Sequence, residues 1–171
     1  SDVNLIIDDF IKFKNFDEKA TKTKLANLKP LKEYLKGNGK EYITKDLESL
    51  TLEDVRKLED ILSEATPKTR AKDMMNKNIF DLVEIRKKKQ LKRYSFNTLK
   101  GFADDTKLFW KYYCKYINKT QDKEIFDSFS PHLVVNKKNL STMIVGAVTI
   151  AIVVVCVFLY VFRPTEIDKF S

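Results

Sequence analysis

The sequence predicts an all-α protein, a small helical bundle followed by one transmembrane helix. Three observations predict it. Apolar side chains recur every three or four residues through most of the first 119 positions, the spacing of one helix face. Glycine and proline number four each in 171 residues, too few for the many turns of a β-sandwich or barrel. Leu140 to Phe162, 23 residues, carries no charged side chain. At about 1.5 Å per residue that stretch crosses a hydrocarbon core of about 30 Å with some tilt. The expected layout is a helical domain over 1–119, a linker over 120–139, the span over 140–162 and a short tail over 163–171.

Each helix has its own warrant. Residues 2–14 place Leu5, Ile6, Phe10 and Phe13 at helical spacing behind Ser1 or Asp2, either of which can cap. The stretch TKTKLANLKPLKEYLKG, residues 21–37, repeats the pattern with Leu25, Leu28, Leu31 and Leu35 and stops at Gly37. Pro30 inside it predicts a kink or a new first turn. Thr51, with Asp54 three positions on, is close to a capping box, and Leu52, Val55, Leu58 and Leu62 follow as the buried stripe. Pro67 predicts a further helix start, in a segment of one or two helices with Met74, Met75, Ile79, Phe80, Leu82 and Val83 apolar. Ser95 caps the last helix, expected to reach about Ile117.

Laid out at about 100° per residue, that last helix gathers Leu99, Phe102, Ala103, Thr106, Phe109, Trp110, Tyr113 and Ile117 on one face. Such an aromatic stripe reads as core. Lys100, Lys107, Lys111 and Lys115 lie together on another face, with Asn97 and Asp104 among them.

Charge is unevenly spread. Ser1–Glu64 holds 12 Lys/Arg against 14 Asp/Glu, whereas Ala65–Lys119 holds 15 against 5. The run RKKKQLKR, residues 86–93, puts six positive charges into eight positions. This asymmetry predicts a surface facing nucleic acid or a membrane, against the plainer alternative of a solvated helix face. A patch for lipid headgroups belongs beside the span, within about 10 Å of the surface. The run lies 47 positions before Leu140, and residues 120–139 balance three Lys against Asp122, Glu124 and Asp127. That geometry favours nucleic acid. Lys137 and Lys138 precede the span, while Arg163, Glu166, Asp168 and Lys169 after it cancel, so the N-terminal domain is expected in the cytoplasm. Cys114 and Cys156 make no disulfide framework, and a reducing compartment is the natural reading.

Taken in order, the first helix, TKTKLANLKPLKEYLKG, DLESLTLEDVRKLEDILSEATPKTRAK and YSFNTLKGFADDTKLFWKYYCKYINK resemble a known domain. It is the N-terminal core-binding, SAM-like domain of tyrosine recombinases, the phage-integrase family. The resemblance covers about residues 3 to 120 and is carried by the phrase from Leu47 to Leu58 and by Ser95, Thr98, Phe109 and Trp110. The family's proline after the serine is missing. The resemblance implies a SAM-like bundle that forms half of a clamp around duplex DNA. By position it implies contacts from Asn97, Thr98 and Lys100 at the start of the last helix, then from Lys107 and Lys111. It also implies a backbone-contacting loop made of Arg86, Lys87, Lys88, Lys89, Lys92 and Arg93. Lysine, arginine and small hydroxyl or amide groups suit phosphate, and a helix N-terminus adds a favourable dipole.

The family's catalytic half carries Arg, Lys, a His-x-x-Arg motif and a nucleophilic Tyr. This chain has one histidine, and HLVV at 132–135 is not that motif. Without those cations to stabilise a pentavalent phosphate, the chain is not expected to cut or join DNA. A membrane span at this position is also foreign to the family. A truncated gene product, a membrane-tethered DNA binder and a chance likeness in a tail-anchored protein all remain open at this point. No glycine-rich phosphate loop, metal-ligand spacing or nucleophile elbow occurs, and no cofactor or metal is expected. The adjacent pairs Asp8-Asp9 and Asp104-Asp105 read as solvated, His132 as a linker residue and Cys114 as an inert thiol. Two functions follow. The first is a non-catalytic DNA-binding module, held at the bilayer by residues 140–162 and contacting duplex phosphates. The second is a tail-anchored cytosolic adaptor docking on an acidic protein or anionic lipid.

Overall fold

The computed structural model describes residues 2–163. Among them the α-helices are α1 (Val3–Lys14), α2 (Glu18–Lys36), α3 (Leu52–Glu64), α4 (Ile79–Lys89), α5 (Phe96–Tyr112) and α6 (Pro131–Phe162). A 3-10 turn at Leu47–Ser49 precedes α3, and a π turn at Tyr113–Ile117 continues α5. No strand occurs among the described residues. The chain divides into two compact units, Ser1–Val135 and Asn136–Ser171.

In the first unit, side chains of the expected kinds set the helix starts. Asp2 caps α1 by accepting the Asn4 N–H at 2.9 Å, and Asp17 caps α2 by accepting the Ala20 N–H at 2.7 Å. Thr51 and Asp54 form a full capping box at α3. The α2 helix continues through Pro30, so no new helix starts there. Leu28, Leu31, Tyr34 and Leu35 are all buried around that proline, and packing of this kind outweighs one lost backbone bond. Gly37 then closes α2 at φ 73°, where an added Cβ would lie 2.4 Å from the Tyr42 carbonyl oxygen.

Pro67 starts no helix. Residues 65–78 are irregular, and α4 begins behind Asn78, whose side chain accepts the Asp81 N–H at 3.0 Å while Asp81 accepts the Asn78 N–H at 3.1 Å. A reciprocal cap of that kind satisfies two backbone donors, which the proline cannot do. The irregular segment is fastened by a small apolar cluster of Ala65, Met74 and Leu82.

The core is aromatic. Phe10 of α1 meets Phe109 of α5 edge to face at 5.6 Å, and Trp110 packs on Phe126 at 5.0 Å. The α5 stripe is buried as its spacing predicts, from Leu99 through Tyr113, but Ile117 is exposed because the π turn has rotated it off the face. Leu5, Phe13, Leu25, Leu52 and Met75, expected to be apolar contributors, are exposed as well.

The expected linker is part of the domain. Ile125, Phe126, Phe129 and Val135 are buried in the main core. The Trp110 Nε1–H donates to the Asp122 carbonyl at 3.1 Å, and the Ser130 N–H donates to the Glu59 carboxylate at 2.8 Å. Short turns of mixed polarity hid this segment from a search for helical periodicity. The unit boundary therefore falls after Val135, not after residue 119.

The second unit is helical from Asn136 to Phe162. The whole α6 helix is 32 residues long, and its most apolar window has a mean hydropathy of 3.0, with none of that window buried. By length and composition it is long and apolar enough to cross a membrane. The expected tail beyond Arg163 lies outside the described residues.

Candidate nucleic-acid interface

The basic run is half helix and half loop, with residues 91–93 irregular. Arg86 to Lys89 are the last turn of α4, where the helix dipole favours cations, and the chain turns at Gln90 with φ 52°. The Arg86 guanidinium donates to both the backbone carbonyl and the carboxylate of Glu64, at the end of α3. Arg93 reaches the other carboxylate oxygen of Glu64 at 3.5 Å. Both guanidinium groups are largely buried, so Arg86 and Arg93 fasten α3, α4 and the turn before α5 to one another. Both are therefore engaged within the domain through Glu64 and are not open cations on its surface.

The remaining predicted residues separate into groups. Lys87 lines a hollow that also contains Glu41, Asp60, Glu64 and Glu84, which disfavour a phosphate. Lys88 and Lys92 are exposed, and Lys89 is exposed with Asp73 at 3.9 Å. Asn97 and Thr98 are exposed in the first turn of α5, where Ser95 Oγ accepts the Thr98 N–H at 3.3 Å. Lys100 is paired with Asp104 at 2.8 Å on the surface, a contact worth little in water. Lys107 is half-buried and Lys111 is exposed.

Sequence reasoning named Lys111 and set Lys115 on the same face, but missed that Lys119 and Lys123 join them. Lys111, Lys115, Lys119 and Lys123, with Cys114 and Gln121, line a cavity of about 520 Å³ that no carboxylate lines among the described residues. Its sequence signal is a lysine at every fourth position from 107 to 123. A regular α-helix would let such a series drift by roughly 40° at each step. Here the π turn, closed by the Asn118 N–H donating to the Tyr113 carbonyl at 2.9 Å, and the turns after it fold the series around one hollow. Four ammonium groups with no lining carboxylate attract an anion bearing several charges.

Two other readings change. Asp105 is buried, holding Lys24 Nζ at 2.7 Å and the Asn27 side-chain amide at 2.6 Å, whereas Asp104 is solvated as expected. His132 is buried edge-on against Phe96, with ring centroids 5.0 Å apart, rather than free in a linker. Burial pushes the Cys114 thiol up to about 11, with the Asp122 charge adding to the shift, so the thiol beside the cavity is not a nucleophile at neutral pH. No family model, curated protein or solved structure matches the chain.

Proposed function

We propose that this chain is a membrane-anchored, non-catalytic DNA-binding module that holds duplex DNA by its phosphate backbone. The observation that carries the reading is that Lys111, Lys115, Lys119 and Lys123 line one cavity with no carboxylate among its described lining residues. Exposed Lys88, Lys89 and Lys92, and Asn97 and Thr98 in the first turn of α5, supply further phosphate contacts. Lysine gives such contacts charge but little sequence information. The likeness of the helix order to the integrase core-binding domain supports the same reading. The α6 helix supplies the anchor through residues 140–162, with Lys137 and Lys138 before it favouring a cytoplasmic domain.

The test is fluorescence anisotropy of the full chain in neutral nanodiscs with a labelled duplex, titrated at several salt concentrations. Each phosphate contact contributes about 0.9 to the slope of log affinity against log salt. Replacing Lys111, Lys115, Lys119 and Lys123 by Ala is expected to lower that slope by about 3 to 4. An unchanged affinity and slope would remove the cavity from the interface, and no binding at low salt would end the DNA reading.

A further inference from the structure

Lys111 and Lys115 also line a second cavity of about 260 Å³, walled by Phe13, Tyr112 and Tyr116 with Lys14 and Leu108. Phe13 and Tyr116 are 53% and 46% exposed, in a domain that buries Phe10, Phe109, Trp110 and Tyr113 almost completely. Their ring centroids lie 4.7 Å apart, and Phe13 also meets Tyr112 at 5.3 Å. The Lys115 ammonium stands 5.2 Å from the Tyr116 ring centre, and that of Lys14 stands 6.0 Å from the Phe13 ring centre. The last turn of α1 supplies Phe13 and Lys14, and the junction of α5 with the π turn supplies Tyr112 and Tyr116. Turns of this wide kind recur at functional sites. Asp9 on α1 also acts on this face, through Tyr112.

Exposed rings set among ammonium groups suit a ligand with flat π faces along an anionic backbone. A duplex stacks its bases against each other and offers only phosphates to such a shelf. Aromatic rings beside lysines also serve at lipid interfaces. Here the Phe13 and Tyr116 rings each carry an ammonium group, and Leu108 alone among the lining residues is aliphatic, which leaves little apolar surface to insert into a bilayer. We infer that this face binds single-stranded nucleic acid, with bases on Phe13 and Tyr116 and phosphates on Lys14, Lys111 and Lys115. The neighbouring lysine-ringed cavity, which shares Lys111 and Lys115, extends the path for the backbone. The inference rests on the nucleic-acid reading above and adds an unpaired strand, gripped by its bases, to the duplex held by its phosphates.

The experiment uses the full chain in neutral phosphatidylcholine nanodiscs and a fluorescein-labelled oligothymidylate of about 15 nucleotides, with a duplex in parallel. Phe13→Ala and Tyr116→Ala are each expected to weaken the single strand roughly tenfold while changing duplex affinity less than about twofold. Tyr116→Leu, which keeps an apolar side chain but removes the ring, should match Tyr116→Ala, and Tyr116→Phe should retain binding. Circular dichroism melts of the same variants report whether each stays folded. Duplex bound with oligothymidylate no tighter, and Tyr116→Ala neutral for both, would overturn the inference and leave the DNA reading standing. Failure of both probes would overturn both. Thymidine monophosphate competing as tightly as the strand would make the face a nucleotide site, and displacement by phosphatidylserine vesicles would assign it to lipid. Either outcome overturns the inference.

Discussion

The ammonium of Lys24 lies 2.7 Å from a carboxylate oxygen of Asp105, although 81 residues separate them in the chain. Asn27, one turn further along α2, donates to the other oxygen at 2.6 Å. This contact joins α2 to α5, the helix that presents the lysine cavity, and Asp105 is only 5% exposed. Asp105→Ala leaves Lys24 and Asn27 facing each other without an acceptor. It is expected to cost about 2–3 kcal/mol in urea unfolding, toward the lower end for a buried pair because Lys24 still reaches solvent. Lys24→Met removes the counter-charge but leaves the Asn27 hydrogen bond, and should cost less. An Asp105→Ala cost below about 0.5 kcal/mol would mean the contact does not hold the two helices.

Asp54 gives the domain an acid-sensitive point. Burial pushes its carboxyl up, but hydrogen bonds from Lys45 at 2.6 Å, Tyr34 at 2.7 Å and Thr51 at 3.0 Å outweigh that, so it titrates below its ordinary value. Because the folded pKa is depressed, the carboxylate's stabilisation is complete above the unfolded value of about 3.9. It is lost as pH falls from there through the folded value. Thermal midpoints of the wild type should therefore drop below about pH 4. Asp54→Asn should be less stable at neutral pH and show a smaller drop on acidification. Parallel curves for the two proteins would sink this assignment.

The domain boundary predicts a sharp contrast between two fragments. Residues 1–135 keep Ile125, Phe126, Phe129 and Val135, and residues 1–119 lose all four. Burying side chains of this size contributes about 1.5–3 kcal/mol each, which together matches the whole net stability of a small domain. The longer fragment should unfold cooperatively in urea. The shorter should lack a sigmoidal transition, and a cooperative melt from it would put the boundary back near residue 119.

Cys114 should resist alkylation. Its thiol is buried and raised to about 11, so little thiolate exists at pH 8. With Cys156→Ala removing the second thiol, iodoacetamide labelling monitored by mass spectrometry should be at least about tenfold slower in the native protein than in urea. Equal rates would show that the wall of the lysine cavity opens readily.

Helical class, the apolar segment and the caps at Asp2, Thr51 and Ser95 follow from sequence alone. Each depends on residues within a few positions of one another, where period and hydrogen-bonding type decide the outcome. The aromatic stripe of α5 was legible for the same reason, from Leu99 to Tyr113. The candidate site was legible only in part. Composition located the positive half of the chain, and Lys111 stood on its predicted face, but sequence spacing could not show that Glu64 holds Arg86 and Arg93. Only tertiary contacts, between residues 22 and 29 positions apart, took those two arginines out of the surface. The same holds for Asp105, whose partners sit on α2, and for Phe126 and Phe129, buried from a segment with no helical period. Lys119 and Lys123 join Lys111 and Lys115 because the chain widens into a π turn and folds back, a backbone choice stabilised by packing across the whole core. Local pattern decided which elements form. Long-range packing decided which of their charges remain free to meet a ligand.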